Sequence, residues 1–228
     1  MSYSEQQYNI FDDYQGRYGL FQLGPMSSFT YHRDPKRLLF VLSRYKFVAK
    51  LLSGSEQVLE VGCGDGFGSR LVRQHVGRLV VTDFDDRLID HIRSQSAPPG
   101  LELVPTLWNP SREIGKFGLQ FCGAYALDVL EHIPREDEDR FLESLVSVLK
   151  PDGCLVLGSP SLESQEYASP ESRAGHVNCK TAEGLRELVK KYFKTIHCFS
   201  MNDELVHTGF SRMSHYNFVI CHSPLRYG

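Results

Sequence analysis

Residues 58–68 run Val-Leu-Glu-Val-Gly-Cys-Gly-Asp-Gly-Phe-Gly, an apolar stretch that opens into four glycines at alternate positions. Glycine lets the chain turn tightly and lets a ligand lie against backbone where a Cβ would collide. A dinucleotide fingerprint would read G-x-G-x-x-G/A. Counted from Gly62 it fails at Phe67, and counted from Gly64 it fails at Ser69, so a nicotinamide cofactor is disfavoured. Further on, Val80-Val81-Thr82-Asp83 is a second apolar run that ends in an acid. A carboxylate at such a strand end can accept both hydroxyl hydrogens of a ribose. Capping the next helix is the plainer role open to Asp83 and Asp85. We assign the ribose to Asp83 and the cap to Asp85.

Nine histidines supply candidate bases, because imidazole changes charge near neutral pH. His132 stands in Asp128-Val129-Leu130-Glu131-His132-Ile133, and His176 in a polar stretch that follows the fifth apolar run. Both therefore follow strands at the edge where a substrate would sit. A base must come within about 3 Å of the proton it removes. The plainer alternative for each ring is a hydrogen bond to a loop carbonyl. His197 and His222 lie inside strand-like runs and are expected to be structural. His207 lies in a polar connection at 202–210, longer than an ordinary hairpin. That connection reads as a substrate lid, with His207 touching substrate, or as a plain surface loop.

These residues need a frame to hold them. Strand-like runs fall at 58–61, 79–82, 101–104, 122–127, 154–158, 196–200 and 216–222, and helical runs at 67–75, 87–93, 140–149 and 181–192. In the clearest helix Phe141, Leu142, Leu145, Val148 and Leu149 share one face. Alternating strands and helices demand a parallel sheet with right-handed crossovers. Only a loop joins the last two runs, so the final strand is expected to run antiparallel. The expected fold is α/β: a doubly wound, seven-stranded, mostly parallel sheet with its last strand antiparallel, plus an N-terminal helical cap. Residues 1–32 are rich in aromatics, unlike a disordered tail. Asp34-Pro35 suits a helix start, and Leu38, Val41, Leu42, Tyr45, Val48, Ala49 and Leu52 follow at helical spacing before Gly54. Residues 1–54 are thus expected to form a cap over cofactor or substrate, with Tyr31 against the substrate, and residues 55–228 a single compact domain.

Taken in order, Glu60-x-Gly62-x-Gly64-x-Gly66, the strand ending in Asp83, the Asp128–Ile133 segment and Leu149-Lys150-Pro151-Asp152-Gly153 resemble the signature segments of class I S-adenosylmethionine-dependent methyltransferases of the small-molecule branch. The resemblance covers about residues 56–160. It implies S-adenosylmethionine as cofactor and S-adenosylhomocysteine as product. It places the loop of Gly62, Cys63, Gly64 and Gly66, headed by Glu60, under the methionine part, and Asp83 at the ribose. Phe84, Asp128 and Val129 are implied as further cofactor contacts, and Leu107 or Trp108 as the border of the adenine. Many members carry an aspartate near that point, where this chain has Leu107-Trp108-Asn109. Arg44 lies in a helix similar to one whose arginine pairs with the cofactor carboxylate in ubiquinone-biosynthesis-type methyltransferases; a guanidinium fork suits that partner. A solvated arginine is the alternative.

The expected reaction is O-methylation of a small polar metabolite, a sugar or its activated precursor, with His132 or His176 as base. N-methylation of a small amine and a non-catalytic S-adenosylmethionine-binding partner subunit are the alternatives. Bulk properties agree with a small-molecule substrate. The 228 residues carry a net charge of −3 with acids and bases interspersed, not the basic face of a nucleic-acid binder. Six cysteines include no C-x-x-C pair, so no metal is expected. Residues 1–10 lack the apolar core of a leader, and no apolar stretch approaches the ~18 residues that span a bilayer. A cytoplasmic protein without a membrane partner is expected.

Overall fold

The computed structural model describes residues 5–114, 117–118 and 120–225. Along the chain come α1 (Asn9–Tyr18), α2 (Pro25–Arg33), α3 (Lys36–Leu51), β1 (Gln57–Val61), α4 (Ser69–Arg73), β2 (Arg78–Asp83), α5 (Asp86–Ser94), β3 (Val104–Leu107), β4 (Phe121–Leu127), α6 (Glu138–Val148), β5 (Leu149–Pro160), α7 (Pro170–Gly175), α8 (Ala182–Val189), β6 (Phe193–Asn202), β7 (Leu205–His207) and β8 (Tyr216–Pro224). The strands make one sheet in the order β3-β2-β1-β4-β5-β8-β6-β7. Pairing from β3 through β5 is parallel. β8 lies antiparallel between β5 and β6. The expected mixed sheet is present, with eight strands rather than seven. The extra one, β7, pairs with the end of β6 inside the connection read as a loop or lid.

Successive side chains of a strand point to opposite faces, and β1 shows how this builds two cores. Val58 packs with Tyr45, Val48 and Leu52 beneath α3, α4 and α5. Leu59 and Val61 face the other way, into a core with Phe141 and Leu145 of α6 and Leu185 of α8. Both faces of the central strands are covered, so the carboxyl edge is left as the place where polar groups can gather.

Further elements differ from the sequence expectation. The third strand runs Val104–Leu107 rather than 101–104, and it contains Pro105. β3 is the outermost strand, and there a missing N–H costs no ladder bond. α3 opens at Lys36 with Pro35 in the cap position, while the Asp34 carboxylate accepts the Lys36 N–H at 3.3 Å. Upstream, the aromatic segment forms two helices of different standing. No residue of α1 is buried, whereas α2 docks its first turn on the glycine loop. Asp85 caps α5 as assigned, its Oδ1 accepting the Arg87 N–H at 3.0 Å. No helix among the described residues is long and apolar enough to cross a membrane.

Candidate active site at the carboxyl edge of the sheet

The loop after β1 is tied to the end of β2. Gly62 and Cys63 donate their N–H groups to the Thr82 carbonyl at 2.8 and 2.9 Å. Gly64 donates to Asp83 Oδ2 at 3.0 Å, and Asp85 N–H donates to Asp83 Oδ1 at 3.1 Å. Asp83 is buried, its carboxylate fixed by two backbone donors. Each of its oxygens keeps a further lone pair for a ligand hydroxyl. Asp65, next along the loop, accepts the Ser27 N–H at 2.7 Å and the Ser27 hydroxyl at 2.9 Å. This latch sets the first turn of α2 over the loop, and a Cβ built on Gly64 would meet the Met26 sulfur at 3.0 Å.

After β4 the chain turns through Asp128, a non-glycine residue at φ +57°. Its N–H donates to the Gly158 carbonyl at 3.0 Å and to the Tyr216 hydroxyl at 3.2 Å. Arg44 Nη1 donates to both Asp128 oxygens, at 2.8 and 2.6 Å. The guanidinium lies 3.9 Å from the centre of the Tyr216 ring, a cation–π contact. Arg44 Nε is buried with no hydrogen-bond partner among the described residues.

One turn further along stand Glu131 and His132, and His176 closes the C-terminus of α7. The two imidazoles meet edge to face with centroids 5.2 Å apart. His132 Nδ1 bonds the Gly175 carbonyl at 2.8 Å, and His176 Nδ1 bonds Gln165 Oε1 at 2.8 Å. Both partners are oxygen acceptors, so each neutral ring places its proton on Nδ1 and keeps a lone pair on Nε2. Burial lowers the pKa of His176, and the neighbouring His132 lowers it further. Glu131 is fully buried and neither carboxylate oxygen has a hydrogen-bond partner among the described residues; burial, reinforced by the charge of Asp128, pushes its pKa up. A cavity of about 350 Å³ opens beside His176, with Arg135 and Arg173 among its walls.

The methyltransferase-domain family matches residues 31–194, well over half of the chain. The chain belongs to that family. A protein of Mycobacterium tuberculosis named as a probable S-adenosylmethionine-dependent methyltransferase is 26% identical over 110 residues, 47% of this chain and 36% of that protein. A ubiquinone biosynthesis O-methyltransferase of Coxiella burnetii is 23% identical over 128 residues, 54% of this chain and 52% of that one. The chain thus spans between about a third and a half of the length of these relatives. Among solved structures, the N-methyltransferase NodS of Bradyrhizobium japonicum, in complex with S-adenosylhomocysteine, shares the fold with a TM-score of 0.59 at 19% identity, over 86% of this chain and 88% of that one.

Within this methyltransferase domain the structure gathers most of the expected cofactor residues at one edge. The glycine loop, Asp83, the exposed Phe84, Asp128 and Val129 line the ends of β1, β2 and β4. The remaining expected residues are placed as follows. Glu60 falls on the inner face of β1, where its carboxylate accepts the Tyr45 hydroxyl at 2.7 Å. Trp108 is buried in the core, with Nε1 donating to the Glu113 carbonyl at 2.8 Å, whereas Leu107 is exposed. Arg44 is engaged by Asp128 rather than solvated. Both His207 nitrogens are used inside its own turn: Nε2 bonds Asn202 Oδ1 at 2.9 Å and Nδ1 accepts the Gly209 N–H at 3.0 Å. Cys63 is a buried thiol whose pKa burial pushes up. Tyr31 stays on the exposed side of α2.

The sequence did not point to Ser27, Tyr216, Gln165 or the partnerless carboxylate of Glu131. Each acts through a residue distant in the chain, and no local spacing marks it.

The methyltransferase site yields two expected results. Asp83→Ala should weaken S-adenosylmethionine binding by roughly 1–3 kcal/mol through lost charge-assisted hydrogen bonds, measured by calorimetry. An unchanged Kd would remove Asp83 from the cofactor site. The second concerns Glu60, whose pKa burial raises to about 7. The folded state then holds a proton that the unfolded chain releases above its ordinary pKa of about 4.3. Stability is therefore expected to fall as pH rises from about 4.5 to 7 by roughly 2–3 kcal/mol. Denaturant melts of wild type and Glu60→Gln should converge at low pH and separate in favour of the variant as pH rises. A constant difference would mean that Glu60 is ionised throughout.

Proposed function

We propose that the protein transfers the methyl group of S-adenosylmethionine to a hydroxyl oxygen of a small polar metabolite, a sugar or its activated precursor. When bound, the cofactor supplies an electrophilic methyl on a sulfonium. The residues present suit it. The Asp83 carboxylate keeps acceptor capacity for the ribose hydroxyls, the loop after β1 offers close approach to backbone, and Arg44 brings a half-buried guanidinium to the same edge.

The observation that carries the oxygen-directed reading is the His132–His176 pair. A hydroxyl must lose its proton as the new C–O bond forms and the S–C bond breaks, and a positioned imidazole is suited to manage that proton. Two rings fixed through Nδ1, each with an Nε2 lone pair, meet edge to face, and His176 lines a cavity sized for a small metabolite. Arg135 and Arg173 on its wall suit a phosphate or carboxylate on the acceptor.

The test is a transfer screen with radiolabelled methyl donor against neutral sugars, phosphorylated and nucleotide sugars, and amines. Label is expected on hydroxyl-bearing acceptors, foremost those with an anionic group. Label confined to amines would replace O-transfer by N-transfer. Tight cofactor binding with no label in any pool would favour a non-catalytic partner subunit.

A further inference from the structure

We propose that Glu131, His132 and His176 form a binding site for a divalent first-row transition ion at the rim of the cavity. One ligand-capable atom from each of the three lies within 4.8 Å of the other two. A tetrahedral ion with bonds of 2.0–2.2 Å holds its ligands roughly 3.4 Å apart, so modest side-chain rotations close the set. The residues come from two segments that the fold brings together: the turn after β4 and the end of α7.

Three independent features point to an ion. The first is Glu131, a fully buried carboxylate with no hydrogen-bond partner on either oxygen among the described residues, Oε1 lying 4.0 Å from His132 Nε2. Buried polar atoms are nearly always satisfied, and each exception calls for an explanation such as an ion. The second is the second layer of contacts. Metal-binding imidazoles almost always give their other N–H to a carbonyl or carboxylate, which fixes the tautomer and aims the lone pair. His132 does this to Gly175 and His176 to Gln165. The third is the donor set. Two imidazoles and one carboxylate suit zinc, cobalt or iron, with further positions open to water or substrate, whereas magnesium demands oxygen ligands.

The ion's part in the reaction rests on the O-methylation reading. An acceptor hydroxyl bound to the ion becomes more acidic. Its proton passes to solvent at the open rim, and the resulting oxygen attacks the methyl carbon as the S–C bond breaks and a neutral thioether leaves. The two imidazoles then serve the hydroxyl through the ion.

The test needs neither cofactor nor acceptor, so its outcome is separable from that of methyl transfer. Untagged full-length protein, stripped by a chelator and dialysed, is titrated with Co²⁺ while visible absorption is followed. One equivalent is expected, with ligand-field bands that Zn²⁺ displaces and Mg²⁺ does not. His132→Ala and His176→Ala remove side chains that are not buried, and circular dichroism should show both folded. Each should weaken Co²⁺ binding at least tenfold, and Gln165→Ala by roughly 10–100-fold as loss of an outer-layer partner. No stoichiometric uptake, equal affinity in wild type and both histidine variants, or binding of Mg²⁺ alone would overturn the site and leave the methyl-transfer reading standing. A site that fills with Co²⁺ in a protein that methylates nothing would do the reverse.

Discussion

His176→Ala is expected to lower kcat for a hydroxyl acceptor by ~10²–10⁴, and His132→Ala to do the same, with the affinity for S-adenosylmethionine unchanged. The range is the contribution of one positioned group that manages a proton in the transition state. Cofactor binding should be spared because neither ring is among the cofactor residues gathered at the ends of β1, β2 and β4. The pH profile carries a second readout. The His176 ring acts only when neutral, and its surroundings hold its pKa below the ordinary value. The neutral form therefore persists into acid, and the acid limb of kcat in the wild type should fall below pH ~6.5, the ordinary imidazole value. In His176→Ala that limb should be lost. Near-normal kcat in both variants would show that the proton leaves without either ring.

Gly62→Val should destabilise the domain by roughly 3–5 kcal/mol and abolish measurable cofactor binding. Two effects add. Gly62 sits at φ +74°, in the left-handed region, which costs an L-residue about 1–2 kcal/mol and a β-branched one more. A Cβ built there would lie 2.2 Å from Val129 Cγ2, and relieving such overpacking typically costs 1–3 kcal/mol. Val129 follows Asp128, so any shift that relieves the clash also displaces the Arg44–Asp128 pair. Urea melts and calorimetry are the measurements. If Gly62→Val melts within about 0.5 kcal/mol of wild type, the ordinary spread of surface substitutions, the loop is not the rigid platform described above.

Much of the carboxyl edge was legible because its signals are local. An apolar run that breaks into alternate glycines admits few backbone paths. An acid at a strand end with another acid two residues on divides naturally into ligand and cap, as Asp83 and Asp85 do. Contacts that depend on facing direction or on distant partners were less readable. Glu60 stands within the glycine signature, yet strand alternation puts it on the Val58 side, against Tyr45. Trp108 and Leu107 are adjacent, and only the true start of β3 tells which one is interior. Arg44 was recognised as a guanidinium that could meet a carboxylate. The partner it has in this structure, Asp128, is brought to it by β4 and the sheet order. Likewise the meeting of His176 with Glu131 and His132 depends on how the polar stretch after β5 folds back, which no periodicity records.

The position of β8 has a consequence for how the chain is made. It is the last strand in sequence, yet it lies between β5 and β6 and supplies the hydrogen-bonding partner of both. Tyr216, at its start, also carries the ring beneath Arg44 and the hydroxyl that receives the Asp128 N–H. During synthesis, β1 to β5 can assemble in the order in which they emerge, because each strand after β1 finds a neighbour upstream. β6 and β7 cannot join them until residues 216–224 have left the ribosome, and until then β5 presents an open edge. Open edges pair with other chains, and non-local strand pairing is slow. A chain truncated just before Tyr216 should therefore be protease-resistant through β5, sensitive beyond it and prone to aggregate.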